Sequence, residues 1–176
     1  MSEAAGALPP EALAHLDALY NTARWLTRDP VEAEDLVQET YLRALRGAHG
    51  FAPGTNLRAW LFQILRNTYY TLAKRKGRMP EPQDPETLEG MVTDGARGTG
   101  IGGLGRQGDG AAGLDLQAAL QRLPEEYRSV VLLADVEDFT MTEVAEIMAC
   151  PVGTVKSRLF RARALLREQL RDYLRV

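Results

Sequence analysis

Thr154, Ser157, Arg158 and Arg161 recur at i, i+3, i+4 and i+7 in the basic segment that follows Pro151. On a helix these spacings share one face. Arginine and serine can hydrogen-bond base edges or phosphate oxygens, and the first-turn amides of a helix suit a phosphate. From Val152 to Arg171 the charged residues are Lys156, Arg158, Arg161, Arg163, Arg167 and Arg171 against Glu168 alone. The pattern fits a helix that enters the DNA major groove by its N-terminal end. It also fits the solvated basic face of a bundle helix. The turn Ala149-Cys150-Pro151 lies just before it, after a short helix opened by the capping box Thr140-Met141-Thr142-Glu143. Together they complete a helix-turn-helix pattern, which favours the DNA reading. Ala145 is small where a partner helix must come close.

A second basic segment is built differently. Between Asn56 and Met79 the aromatics Trp60, Phe62, Tyr69 and Tyr70 interleave with Arg58, Arg66, Lys74, Arg75 and Lys76. Such a surface can stack unpaired bases while its cations hold the backbone. Trp60 and Phe62 suit a core equally well. From Asp29 to Glu39 the charge inverts: Asp29, Glu32, Glu34, Asp35 and Glu39, with no base. That run has no metal-ligand spacing and no histidine, and paired-carboxylate catalysis would need a pocket to raise a pKa. A protein-binding face is the better reading.

Helices must position all of these. Pro10 to about Leu26 is amphipathic. Asp29 is placed as an N-cap, with Pro30 at the first helical position and Glu32 completing a capping box. Leu36, Val37, Thr40, Tyr41, Ala44 and Leu45 then recur at helical spacing, and Gly47 ends that helix. Thr55 or Asn56 caps the next helix, with Leu57, Trp60, Leu61, Ile64 and Leu65 on one face. Leu114–Leu123 is helical, and Pro124 opens a helix through Asp135. The last helix has Val155, Leu159, Ala162 and Leu166 as its buried stripe. No segment alternates as a strand. Residues 77–113 hold eleven of the sixteen glycines, together with Pro80, Pro82 and Pro85. That composition cannot bury enough apolar surface to offset its ordering entropy. The expected architecture is all-α, two small helical domains joined by a flexible linker: tail 1–9, first domain 10–79, linker 80–112, second domain 113–176.

The totals exclude several classes. A hydrophobic content of 45% and a charged content of 26% fit a folded soluble protein. No apolar run approaches the ~18 residues of a membrane span, and the first residues do not read as a signal peptide. A cytoplasmic protein with no membrane partner is expected. Cys150 is the single cysteine, and His15 and His49 are the only histidines. No disulfide, metal site, catalytic triad or cofactor is expected. Cys150 reads as a small packed residue of the turn rather than a redox switch. The net charge of −3 argues against nucleic acid only until the local segregation of charge is seen.

The segments Asp29–Tyr41, Thr55–Thr68, Leu123–Arg128 and Cys150–Arg163 occur in the order and register of bacterial sigma factors of the extracytoplasmic-function (ECF) group. The chain resembles that family over nearly all but its tail and linker, most of all members paired with redox-sensing, zinc-containing anti-sigma proteins. The resemblance implies an alternative sigma factor. Such a protein is not an enzyme; it binds core RNA polymerase, recognises minus-thirty-five and minus-ten elements, and promotes melting. It implies that Asp35, Leu36, Gln38 and Glu39 dock on the clamp helices of the beta-prime subunit. The beta flap, promoter DNA and an anti-sigma factor are the other implied partners. Phe51, Asn56, Trp60, Arg66, Asn67, Lys74 and Arg75 fall in the implied minus-ten reader, where a flipped base is captured by a loop. Lys156, Ser157, Phe160 and Arg161 match positions that contact the minus-thirty-five element, with Thr154 and Arg158 added by the face pattern. The competing reading is a stand-alone helix-turn-helix regulator.

Overall fold

A computed structural model describes residues 7–78 and 111–171, with side chains from 116 onward in the second stretch. The expected linker at 80–112 lies outside the described residues, except Ala111 and Ala112, which open a helix. So do residues 1–6 of the tail. Among the described residues there are seven α-helices and no strand. The chain divides into two compact units, one of Met1–Met79 with Glu146–Ala149, the other of Pro80–Ala145 with Cys150–Val176.

The first unit is a three-helix arrangement. A 3-10 turn over Pro10–His15 leads into α1 (Leu16–Thr27), followed by α2 (Pro30–Arg46) and α3 (Leu57–Arg75). Each of the three helices packs on the other two. Leu19 and Ala23 of α1, Leu36 and Val37 of α2, and Leu61, Phe62 and Leu65 of α3 are buried. Each large apolar side chain so buried stabilises by roughly 1.5–3 kcal/mol. The face of α3 differs from the expected one: Phe62 is core, whereas Leu57, Trp60 and Ile64 are only half-buried. Leu61 and Leu65 of the expected face are core; apolar residues occur all round this helix, so periodicity alone set the stripe's centre but not its edges. The Tyr41 hydroxyl donates to the Ala12 carbonyl at 2.7 Å and pins the opening turn to α2.

Asp29 caps α2 as expected, its Oδ1 accepting from the amides of Val31 and Glu32 at 2.8 and 3.0 Å. Glu32 does not close the expected capping box. Its carboxylate instead accepts from Lys76 Nζ at 3.0 Å and from Arg78 Nη1 at 2.8 Å. Two cations outcompete one backbone amide for the same acceptor. Asn56, not Thr55, caps α3, accepting from the Ala59 amide at 3.0 Å.

The second unit contains α4 (Ala111–Arg122), α5 (Glu125–Val131), the first residues of α6 (Met141–Met148) and α7 (Val152–Arg171). The helix opened by Pro124 is not α-helical through Asp135; Leu132–Val136 forms a π turn. The turn closes where Asp138 adopts a left-handed φ of 56°. Thr140 and Glu143 do form the reciprocal capping box, at 2.8 and 3.2 Å. Val155, Leu159, Ala162 and Leu166 are the buried stripe of α7, as their spacing predicts.

Arg128 is buried, 5% exposed. Its Nε donates to the Leu120 carbonyl at 3.0 Å, and its Nη2 donates to those of Gln121 and Leu123, each at 3.0 Å. The end of a helix leaves carbonyls short of partners, that of Leu120 taking the Leu123 amide at 3.2 Å as well, and a buried cation needs acceptors. Arg128→Met should therefore lower stability by roughly 2–4 kcal/mol. Exposed Arg122→Ala should stay within about 0.5 kcal/mol of the parent. Urea unfolding of the full chain measures both.

Candidate nucleic-acid interface

The approach to α7 is a tight turn. Ala149 takes a left-handed φ of 51°, and the Cys150 amide donates to the Ala145 carbonyl at 3.1 Å. The amides of Thr154 and Val155 donate to the Pro151 carbonyl at 3.0 and 3.2 Å, which starts α7. Cys150 is half-buried in this turn.

Along α7, Lys156, Ser157 and Phe160 are exposed, and Thr154 and Arg161 are half-exposed. Phe160, 55% exposed on a helix with a full apolar stripe elsewhere, is available for contact outside the fold. Arg158 departs from the expected face. Its Nη2 meets Glu126 Oε2 of α5 at 3.1 Å, and its side chain is only 17% exposed. Helical spacing sets Arg158 at the edge of the outward face, and the acid beyond that edge draws it inward. Arg163 is likewise committed. It makes a two-pronged ion pair with Asp135, with Nε at 3.0 Å from Oδ2. That hydrogen bond raises the Arg163 pKa further.

In the first unit, Phe51 packs against Trp60 with ring centroids 5.0 Å apart and planes at 41°. An open cavity of about 780 Å³ lies beside them, lined in part by Leu8, His15, His49, Phe51, Asn56 and Arg58. Burial, then the Arg58 charge, lower the His15 pKa below its ordinary 6.5. The sequence reading missed His15 and the N-terminal wall of this cavity, because nothing in local spacing joins residues 8–15 to the loop at 48–58. Asn56 has its carbonyl oxygen engaged as the helix cap. Arg66 lies over the Tyr70 ring at 4.4 Å, and Tyr70 meets Tyr69 edge-on at 5.8 Å. Asn67, Lys74 and Arg75 are exposed. Lys76 and Arg78 are tied to Glu32.

On α2, Asp35 and Gln38 are exposed, and Glu39 pairs with Arg43 at 2.9 Å. That hydrogen bond holds the Glu39 carboxyl below the usual range. Leu36 corrects the expectation: at 1% exposure it is core and cannot lie on a contact face. Its place three and four residues from the core positions Ala33 and Thr40 decides this. The apolar residues exposed on α2 are Val31, Leu42 and Leu45. Val31, Asp35, Gln38, Leu42 and Leu45 follow a 4-3-4-3 spacing and share one side. Among the described residues no cluster of His, Cys, Asp and Glu could hold a metal, and no helix is long and apolar enough to cross a membrane.

These features place an aromatic-basic helix and an acidic helix in one unit, and a helix-turn-helix in the other. Residues 12–79 match the sigma-70 region 2 family, and residues 113–166 match sigma-70, region 4. The class is thus a two-region sigma-70 protein. The chain is 36% identical over 162 residues to the ECF RNA polymerase sigma factor EcfG of Rhodopseudomonas palustris, covering 90% of this chain and 82% of that protein. It is 32% identical over 167 residues to the ECF RNA polymerase sigma factor SigW of Bacillus subtilis, covering 89% and 84%. A further relative, SigE of Mycolicibacterium smegmatis, is 36% identical over 91% of this chain, which spans 58% of that protein's length. The sigma factor RpoE of Bartonella quintana, solved in complex with the anti-sigma factor NepR, superposes with a TM-score of 0.70 at 33% identity, covering 92% of this chain and 94% of that one. The chain belongs to the family of ECF RNA polymerase sigma factors.

Glu32 supplies a pH test of the first unit. Hydrogen bonds from Lys76, then Arg78, outweigh desolvation and lower its pKa from 4.5. A lowered carboxylate pKa contributes stability that is complete above the unfolded value and lost as pH falls through the folded one. The Glu32 carboxyl should therefore titrate below 4.5 by NMR. Glu32→Gln should remove that part of the acid-limb pH dependence of stability.

Proposed function

We propose that this chain is a dissociable promoter-specificity subunit of bacterial RNA polymerase. The second unit reads the minus-thirty-five element in duplex form. Lys156, Ser157, Phe160 and Arg161 of α7 face the bases and phosphates, with Thr154 at the start of the helix. The beta flap of the polymerase is its protein partner. The first unit docks on the beta-prime clamp helices through α2, using Asp35, Gln38 and Glu39 together with exposed Leu42 and Leu45. Leu36 acts from within, by holding α2 in place.

The minus-ten element is met by the loop before α3 and by α3 itself. Flipping a base costs a few kcal/mol, so a recess and stacking must offset it. The open cavity beside Phe51 and Trp60 supplies the recess, with Arg66, Asn67, Lys74 and Arg75 along the strand. The protein does no covalent chemistry, which belongs to the polymerase. It works in the cytoplasm. As RpoE of Bartonella quintana was solved with the anti-sigma factor NepR, an anti-sigma factor is a partner of this chain too.

The observation that carries this reading is the exposed Phe160 between Lys156 and Arg161, on a helix that already has a complete buried stripe. Run-off transcription on a promoter library, with core polymerase and with or without the chain, tests it. Discrete new start sites sharing minus-ten and minus-thirty-five sequences are the expected result. No dependent transcript, with a tight duplex footprint by the chain alone, would make it a stand-alone regulator.

Two variants separate the roles. Arg161→Ala should weaken transcription that depends on the minus-thirty-five element by roughly 1–3 kcal/mol of binding, and affinity for core should be retained. Asp35→Lys should abolish core binding in a pull-down while leaving the thermal melt within a few degrees of the parent, since exposed positions cost little.

A further inference from the structure

The bases of α7 are not equivalent. At about 100° per residue, the stripe Val155, Leu159, Ala162 and Leu166 defines the inner side. Ser157 and Phe160 lie opposite, flanked by Arg161 and Lys156. Arg158 stands at one edge, about 40° from Thr154 and about 60° from Arg161. Arg163 stands at the other edge. Each edge arginine meets an acid supplied by α5 and the π turn that continues it: Glu126 for Arg158 and Asp135 for Arg163.

The two pairs differ in what they withhold. Arg163 lies about 20° from Lys156 but seven residues, about 10 Å, further along the helix, away from Thr154 and Arg161 on the other edge. Arg158 borders Thr154 and Arg161, and a released Arg158 would reach the flanking phosphates. Phosphate contacts add affinity through counterion release but carry no sequence information. Specificity is a difference of affinities, so a cation kept off the backbone raises the ratio of specific to non-specific binding.

Resting on the proposed reading of α7, we infer that Glu126 is a specificity-determining residue of minus-thirty-five recognition, acting by holding Arg158 away from the DNA. The pair is partly desolvated, with side-chain exposures of 17% and 31%, which shields it from salt better than a surface pair.

Fluorescence anisotropy of the full chain against two labelled duplexes over a potassium chloride series tests this. One duplex carries the minus-thirty-five sequence selected by transcription, the other a scrambled sequence. Glu126→Gln should bind the scrambled duplex several-fold more tightly at low salt, with a log–log salt slope steeper by about one and a lower specificity ratio. In Glu126→Gln/Arg158→Gln the gain should vanish. An unchanged slope and ratio in Glu126→Gln overturns the inference. An equal loss on both duplexes overturns it too, by making Glu126 only a strut. A parent chain that does not prefer the selected duplex refutes the reading of α7 itself, and the inference falls with it.

Discussion

The second unit depends on one buried cation. A guanidinium removed from water is costly unless its donors are filled, and the end of a helix is costly unless its carbonyls are filled. Arg128 and the end of α4 solve each other's problem. That contact fixes α5 against α4, and α5 packs on α7. From α5 and its π turn come the two acids that grip α7 at both edges. The direction in which the outward residues of α7 point is thus traceable, bond by bond, to a residue that never meets DNA.

Charge has the same double use in the first unit. The basic end of α3 reads as one run of cations in the sequence. In the fold it is divided: Lys76 and Arg78 bind Glu32 at the start of α2, while Lys74 and Arg75 stay exposed. The acidic helix is divided in the same way, with Glu32 and Glu39 engaged within the unit and Asp35 turned to solvent. A net charge of −3 conceals both divisions. Two readers joined in one chain also gain from their connection, because the binding of one raises the effective concentration of the other.

Much of this was legible in the sequence, and the misses have physical causes. Caps and stripes are local, so Asp29, the Thr140–Glu143 box and the buried stripe of α7 could be read from spacing. Partners distant in sequence could not. Glu32 looks like a box-closing residue until Lys76 arrives from 44 residues away. Arg158 looks outward-facing until Glu126 is beside it. Leu36 fell inside a contact motif, but its spacing to Ala33 and Thr40 already marked it as core. The cavity beside Phe51 joins segments that no periodicity connects. The π turn was missed because it differs from an α-helix by a single residue in register.

The buried stripe of α7 and its outward residues have no member in common. Lys156, Ser157 and Phe160 contribute little to the core, and substitutions at such exposed positions usually cost less than about 0.5 kcal/mol. Duplicated copies of such a gene can therefore drift at these positions without losing the fold. New regulatory circuits become reachable by single steps, each of them foldable.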